Sequence, residues 1–459
     1  MTTAITLREY RQRRAELMRL MAPGSVALVP AASIRLRNRD TEYLFRQDSD
    51  FYYLTGFNEP DALLVLAPGR AHGEVVLFCR ERDARGELYD GERCGPERAV
   101  ERLRVDDAFP VGDLDDILPG MLEGCERIYM TLGEYPELDN RVLHWVNSIR
   151  AREAGGARSP GEFVALKHLL HEQRLIKSTA ELRIMREAAS ITVAAHCRAM
   201  RACQPGMTEL ALEAELLHEF MSRGARTPAY SSIVAGGSNA CVMHYVDNAA
   251  PLADGDLVLI DAGCEYAHYA SDVTRTFPVN GRFSAQQQAL YEVVLEANLR
   301  AIAACRPGAH FMQPHQTALE VMVDGLVDLG LLTGDRDELM ASGAFRRFCP
   351  HNSSHWLGSD VHDVGDYRVA GVWRDLEPGM VLTIEPGIYV QPDDRQVAEH
   401  WRGIGIRVED DVVITRSGRE VLTDAAPKSV ADITRLMGAR RRKAVASRRT
   451  AQTASADQG

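Results

Sequence analysis

No stretch of the 459 residues supplies the run of about 18 apolar side chains that a membrane-spanning helix needs. Positive charge is in deficit: 53 Lys and Arg stand against 65 Asp and Glu, a formal net charge of −12. That balance argues against nucleic acid or an anionic membrane as a partner. The nine cysteines are scattered and form no CxxC pair, so they read as reduced, buried thiols rather than as a disulfide framework or a thiolate zinc site. A zincin motif is missing too. His218-Glu219 is followed at position 222 by Ser, and His218 reads as an ordinary helical residue. Arg8, Arg11, Arg13 and Arg14 lead into no signal-peptide core, and the expected location is cytoplasmic.

What is present is the composition of a globular protein, 45% hydrophobic and 26% charged, with length for two or three domains. Compact apolar runs at 25–29, 62–66 and 74–78 suit buried strands of an α/β layer. Ser178 and Glu181 have the spacing of a capping box, so a helix and a new domain should open there. Another helix is expected from Thr208 to about Arg223, and two more near 284–304 and 315–330, among strands and glycine turns of α+β texture. The boundaries expected are an N-terminal domain over 1–172, a catalytic domain over 173–438 and a basic tail over 439–459. That tail holds Arg440, Arg441, Arg442, Lys443, Arg448 and Arg449 and reads as a solvated segment.

Chemistry concentrates in the second half. Residues 257–261 (LVLID) are an apolar strand ending on Asp261, and Asp272, Thr274 and Thr276 share one face of the next β-rich run. A hairpin centred between Tyr266 and Ala267 would set Asp261 opposite Asp272, although the turn lacks the Gly or Asn of the commonest tight hairpins. Residues 381–385 (VLTIE) end on Glu385 in the same way, and alternation over 404–409 puts Arg407 and Glu409 on one face. Two carboxylates about 5 Å apart at an effective dielectric of 20 repel by about 3 kcal/mol, so four converging acids call for protons or cations. His351, His355 and His362 lie within twelve residues, with His244 after a glycine-containing loop. An oxygen-rich set with one imidazole favours a hard ion such as Mn²⁺ or Co²⁺.

Residues 45–57 (FRQDSDFYYLTGF), 174–178 (RLIKS), 354–358 (SHWLG), 360–365 (DVHDVG), 385–387 (EPG) and 407–411 (RVEDD) together resemble the pita-bread metallopeptidases, most closely the bacterial Xaa-Pro aminopeptidases. The resemblance implies an α+β pita-bread catalytic domain behind an α/β N-terminal domain. It implies two divalent ions, with Mn²⁺ the expected metal. One would be held by Asp272, His355, Glu385 and Glu409 and the other by Asp261, Asp272 and Glu409. It further implies roles for His244, His351 and His362 at the substrate, for Tyr389 in binding it, and for Glu385 and Arg407 in catalysis. A hydroxide bridging the ions would attack the bond before proline, releasing the first residue of peptides with proline second, and the enzyme would be a homo-oligomer, a dimer or tetramer. One departure from the family pattern is Tyr89, where relatives often carry a tryptophan near the site; two more, in the histidine cluster, are Asn352 in place of a glycine and Ser359 in place of a leucine. Neither of those two is a ligand position. The neighbouring readings are an Xaa-Pro dipeptidase on the same fold, separable by substrate length, and a non-catalytic binding protein, separable by its ion content.

Overall fold

The computed structural model describes residues 4–438, so the basic segment 439–459 lies outside the described residues. Packing divides the chain between Arg174 and Leu175 into two units. In the first, the apolar runs of the sequence become the middle of a six-stranded sheet. Its order is Asp107–Pro110, Val75–Cys79, Leu63–Leu66, Ser25–Pro30, Arg127–Met130 and Glu162–Ala165. The pairings of Ser25–Pro30 with Leu63–Leu66, and of that strand with Val75–Cys79, are antiparallel, while the outer pairings are parallel. Both faces are covered, one by a cluster containing Leu17, Phe51 and Leu54, the other by one containing Leu118, Trp145 and Ile149. Doubly covered strands need apolar side chains at every position, which is why these runs do not alternate.

Within the first unit, Asp50 is held by Arg174 Nη1 at 2.6 Å and faces His171 Nε2 at 3.1 Å. Burial pushes its carboxyl up, but the His171 hydrogen bond and the Arg174 charge outweigh that and hold it at about 2. A carboxyl lowered on folding contributes stability above its unfolded value near 3.9, and that contribution is lost as pH falls through 2. Asp50→Asn should therefore cost about 2 kcal/mol at pH 6 and almost nothing at pH 2, read from urea unfolding at both pH values. An equal loss at both would contradict the assignment.

The second unit opens with the capping box, complete between Ser178 and Glu181, on helix Thr179–Ala202. Helix Glu209–Ser222 packs against it, and Ala285–Ala304 packs against Gln313–Asp328. Short sheets accompany them, and three of these carry the strands named next. Leu257–Asp261 runs antiparallel between Ile233–Gly236 and Thr274–Pro278. Val381–Ile384 pairs with Asp410–Thr415, and Gly387–Tyr389 with Gly405–Arg407. Ile260, Phe277, Ile384, Ile406 and Val408 share one buried core with the helices.

The hairpin turn lies one residue later than expected, which moves the pairing by two. Asp261 lies opposite Thr274, not Asp272, and the pairs Glu265–Ala270 and Tyr266–Tyr269 continue that register to a turn centred between Ala267 and His268. Both turn residues carry positive φ, 48° and 67°, the backbone of a tight turn that glycine or asparagine adopts more readily. Neighbouring contacts hold it: Ser359 Oγ donates to the His268 carbonyl at 2.8 Å, and Ala270 N donates to the Gly358 carbonyl at 2.8 Å. Asp272 consequently falls beside Gly263, where a Cβ would lie 1.6 Å from the Ser271 carbonyl oxygen, so only glycine fits.

Candidate functional site

The ends of these strands converge on one cavity of about 680 Å³. Asp261 closes its strand, Asp272 follows the tight turn, Glu385 follows Val381–Ile384, and Glu409 sits between Gly405–Arg407 and Asp410–Thr415. His355 comes from the irregular segment 350–366, where no helix forms. Ligand-type atoms of Asp272, His355 and Glu409 lie within 4.8 Å of one another. Glu385 Oε1 lies 3.5 Å from His355 Nε2, and so does Asp272 Oδ2. Asp261 joins them through Tyr230, whose hydroxyl is 2.6 Å from Asp261 Oδ1 and also touches Asp272 Oδ1. The four acids and the imidazole of the sequence expectation therefore share one cavity.

Elements behind the cavity fix each group. Thr274 Oγ1 donates to Glu409 Oε2 at 2.7 Å and accepts from Arg407 Nε at 3.1 Å, so Arg407 and Glu409 do share a face. Arg407 also donates through Nη2 to Asp261 Oδ2 at 2.6 Å and through Nη1 to the Tyr389 hydroxyl at 2.7 Å. Tyr389 in turn donates to His351 Nε2 at 2.9 Å. Asp272 N points at Asp411, at 3.2 Å. Asn298 Nδ2 donates to the carbonyls of Ile384, at 3.0 Å, and Val408, at 3.3 Å, the residues just before Glu385 and Glu409. His244 and His362 stand exposed at the cavity wall, and the His362 ring meets His355 edge-on at 4.4 Å.

Electrostatics tests whether cations fit this set. Burial and then Asp272, Glu385 and Asp261 push the Glu409 carboxyl well above its ordinary range. Burial lifts Glu385 to about 7 against the pull of His355 and Arg407, and burial raises Asp272 as well. Burial pushes Asp261 up, but the Arg407 charge and the hydrogen bonds from Tyr230 and Arg407 together outweigh it, and Asp261 is lowered. Burial alone would lower His355, but Asp272 and Glu385 raise it to about 9. His355 Nδ1 donates to the Trp356 carbonyl at 2.9 Å, which directs Nε2 at the carboxylates. A tyrosine hydroxyl has one proton for the two aspartates it touches. The set thus holds more negative charge than the protein's own cations neutralise, and divalent ions fit it. His351 is different: burial and then Arg407 push it down to about 4, leaving a neutral ring.

Sequence reading did not find Tyr230, Asp411 or Asn298. Tyr230 precedes its strand in Ala229-Tyr230-Ser231, with no periodic or motif signal. Asp411 was visible only as part of the RVEDD stretch.

Buried carboxylates and an imidazole gathered at strand ends define a metal-dependent hydrolase centre, and the comparisons agree. The chain belongs to metallopeptidase family M24, whose sequence model matches residues 183–416, and residues 10–129 match the aminopeptidase P N-terminal domain. It is 46% identical over 440 residues to the Xaa-Pro aminopeptidase of Escherichia coli K12, covering 96% of this chain and 99% of that protein. The structure of Pseudomonas aeruginosa aminopeptidase PepP superposes with a TM-score of 0.95 at 57% identity, over 96% of this chain and all of that one. Aminopeptidase P from E. coli with the inhibitor Pro-Leu gives 0.92 at 46% identity, over 95% and 99%. The fold is accordingly the α+β pita-bread arrangement behind an aminopeptidase P N-terminal domain. Among the described residues no helix is long and apolar enough to cross a membrane.

Proposed function

We propose that this metallo-aminopeptidase releases the N-terminal residue from peptides with proline in the second position. The observation that carries the reading is the meeting of Asp261, Asp272, His355, Glu385 and Glu409 on one cavity, in a chain near-completely alignable with Xaa-Pro aminopeptidases. Asp272, His355, Glu385 and Glu409 would hold one divalent ion and Asp261, Asp272 and Glu409 a second, with Mn²⁺ the metal suited to so many oxygen donors. Ions bound there polarise the scissile carbonyl and lower the pKa of water at the site.

The chain's own residues do the rest. Glu385 would take the proton of the attacking water and return it to the prolyl nitrogen. That nitrogen belongs to a tertiary amide and cannot leave unprotonated. Burial and then His355 push His362 below its ordinary value, so at neutral pH it presents an uncharged ring N–H to the developing oxyanion. His244 faces the same cavity and would orient the peptide with it. Arg407 holds Asp261 and Tyr389, and Tyr389 keeps His351 in one tautomer by donating to its Nε2. The apolar wall of Phe311, Tyr367 and Trp373 offers a surface for a non-polar part of the substrate.

The same reading takes residues 1–172 as a supporting domain, 173–438 as the catalytic domain, the cytoplasm as the location and a dimer or tetramer as the working form. The native mass in solution by light scattering tests the last of these. Hydrolysis rates on Xaa-Pro-Yaa and Xaa-Pro peptides test the substrate class. Faster release from the longer peptides is expected, and exclusive action on dipeptides would make the protein a dipeptidase.

A further inference from the structure

Resting on the reading that His244 acts at the substrate, we propose that Glu209 is a positioning residue for the reaction, anchoring through one buried carboxylate the loop that carries His244. His244 sits exposed between strands Ile233–Gly236 and Leu257–Asp261, in a loop with no regular structure beyond the 3₁₀ turn Gly237–Cys241. Among the described residues its imidazole has no hydrogen-bond partner, so its place over the cavity depends on what holds its backbone.

Glu209, the first residue of helix Glu209–Ser222, is completely buried. Its Oε1 accepts from Gly236 N at 2.7 Å and Asn239 Nδ2 at 3.0 Å, at the start of the loop. Its Oε2 accepts from the Tyr245 hydroxyl at 2.8 Å and Ala250 N at 2.8 Å, beside His244 and at the loop's end. Glu209 N closes the circuit by donating to the Ala250 carbonyl at 2.9 Å. Four donors separated by up to fourteen residues thus meet on one anion, itself placed where the helix N-terminus favours negative charge. One helical turn on, Glu213 Oε2 accepts from Asn248 Nδ2 at 2.9 Å, and Asn248 Oδ1 accepts from Val234 N at 2.9 Å. Cys241, Met243 and Tyr245 pack with Tyr389, which fixes the side of the loop away from solvent.

Glu209→Gln tests the role, because a carboxamide keeps the volume but turns an NH₂ toward two of the four donors. The expected result is a fall in kcat/KM on an Xaa-Pro-Yaa peptide of about 10- to 100-fold, with the wild-type content of bound divalent ion retained. In a His244→Ala background the same substitution should cost less than about threefold, since both changes remove one function. Tyr245→Phe deletes one donor only and should give a smaller loss, again absent beside His244→Ala, which decides the matter if Glu209→Gln fails to fold. Faster amide exchange confined to residues 236–250 is the matching structural signature. Equal losses in both backgrounds, unchanged activity, or loss of the ion would overturn the inference. A wild-type protein that releases nothing from Xaa-Pro-Yaa peptides would instead overturn the function on which it rests.

Discussion

Replacing Asp272 by asparagine should leave the fold intact and lower kcat by at least about 10³-fold, or about 4 kcal/mol of barrier. Asp272 is the centre of the cluster. Its carboxylate lies 3.5 Å from His355 Nε2, touches Tyr230, and belongs to the trio whose ligand atoms lie within 4.8 Å of each other. In the proposed assignment it is shared by both ions, so its loss weakens both at once. Asparagine retains the shape, and the backbone N–H of residue 272 still faces Asp411, so the tight turn and the strand after it have no reason to move. Circular dichroism with steady-state rates checks this; near-wild-type turnover would remove Asp272 from the chemistry.

Glu409→Gln should have an effect of opposite sign on the ion-free protein, making it more stable. The Glu409 carboxyl is raised far above its ordinary value by burial and by three acidic neighbours. A carboxyl raised on folding costs stability once the pH exceeds its unfolded value, near 4.3, and the cost grows as pH rises toward the folded value. Below pH 4 both states are protonated and the cost is absent. Glutamine removes the penalty, so the melting temperature of ion-stripped protein should rise by a few degrees at pH 8, each 1 kcal/mol giving about 2–4 °C in a domain of this size. Little change is expected at pH 4. Divalent ion at about 100 times its dissociation constant should stabilise the wild type by about 2.7 kcal/mol and the variant hardly at all. A stripped variant that melts below the stripped wild type at pH 8 would show that Glu409 serves the fold more than the ions.

The parts of the site that could be read in the sequence are those where local pattern and tertiary role coincide. An apolar strand that ends on an acid, as at Asp261 and Glu385, carries its own signal, because such a residue is cheaper in a surface loop. The box between Ser178 and Glu181 is local chemistry and was legible for the same reason. The turn between Asp261 and Asp272 was misplaced by one residue and the pairing by two, because Ala267 and His268 take positive φ only with help from Ser359 and Gly358, distant in sequence. Tyr230, Asn298 and Glu209 were illegible for a related reason. Each acts by contacts with residues 27 or more positions away, and nothing in its own neighbourhood distinguishes it from an ordinary tyrosine, helical asparagine or helix-starting acid.

The most direct measurement strips the protein of metal with a chelator, adds Mn²⁺ in steps, and follows release of the first residue from an Xaa-Pro-Yaa peptide. No release from stripped protein is expected, with activity returning as ion binds and reaching its plateau at two equivalents per chain. Cleavage at full rate by protein shown by mass spectrometry to hold no divalent metal would contradict the account.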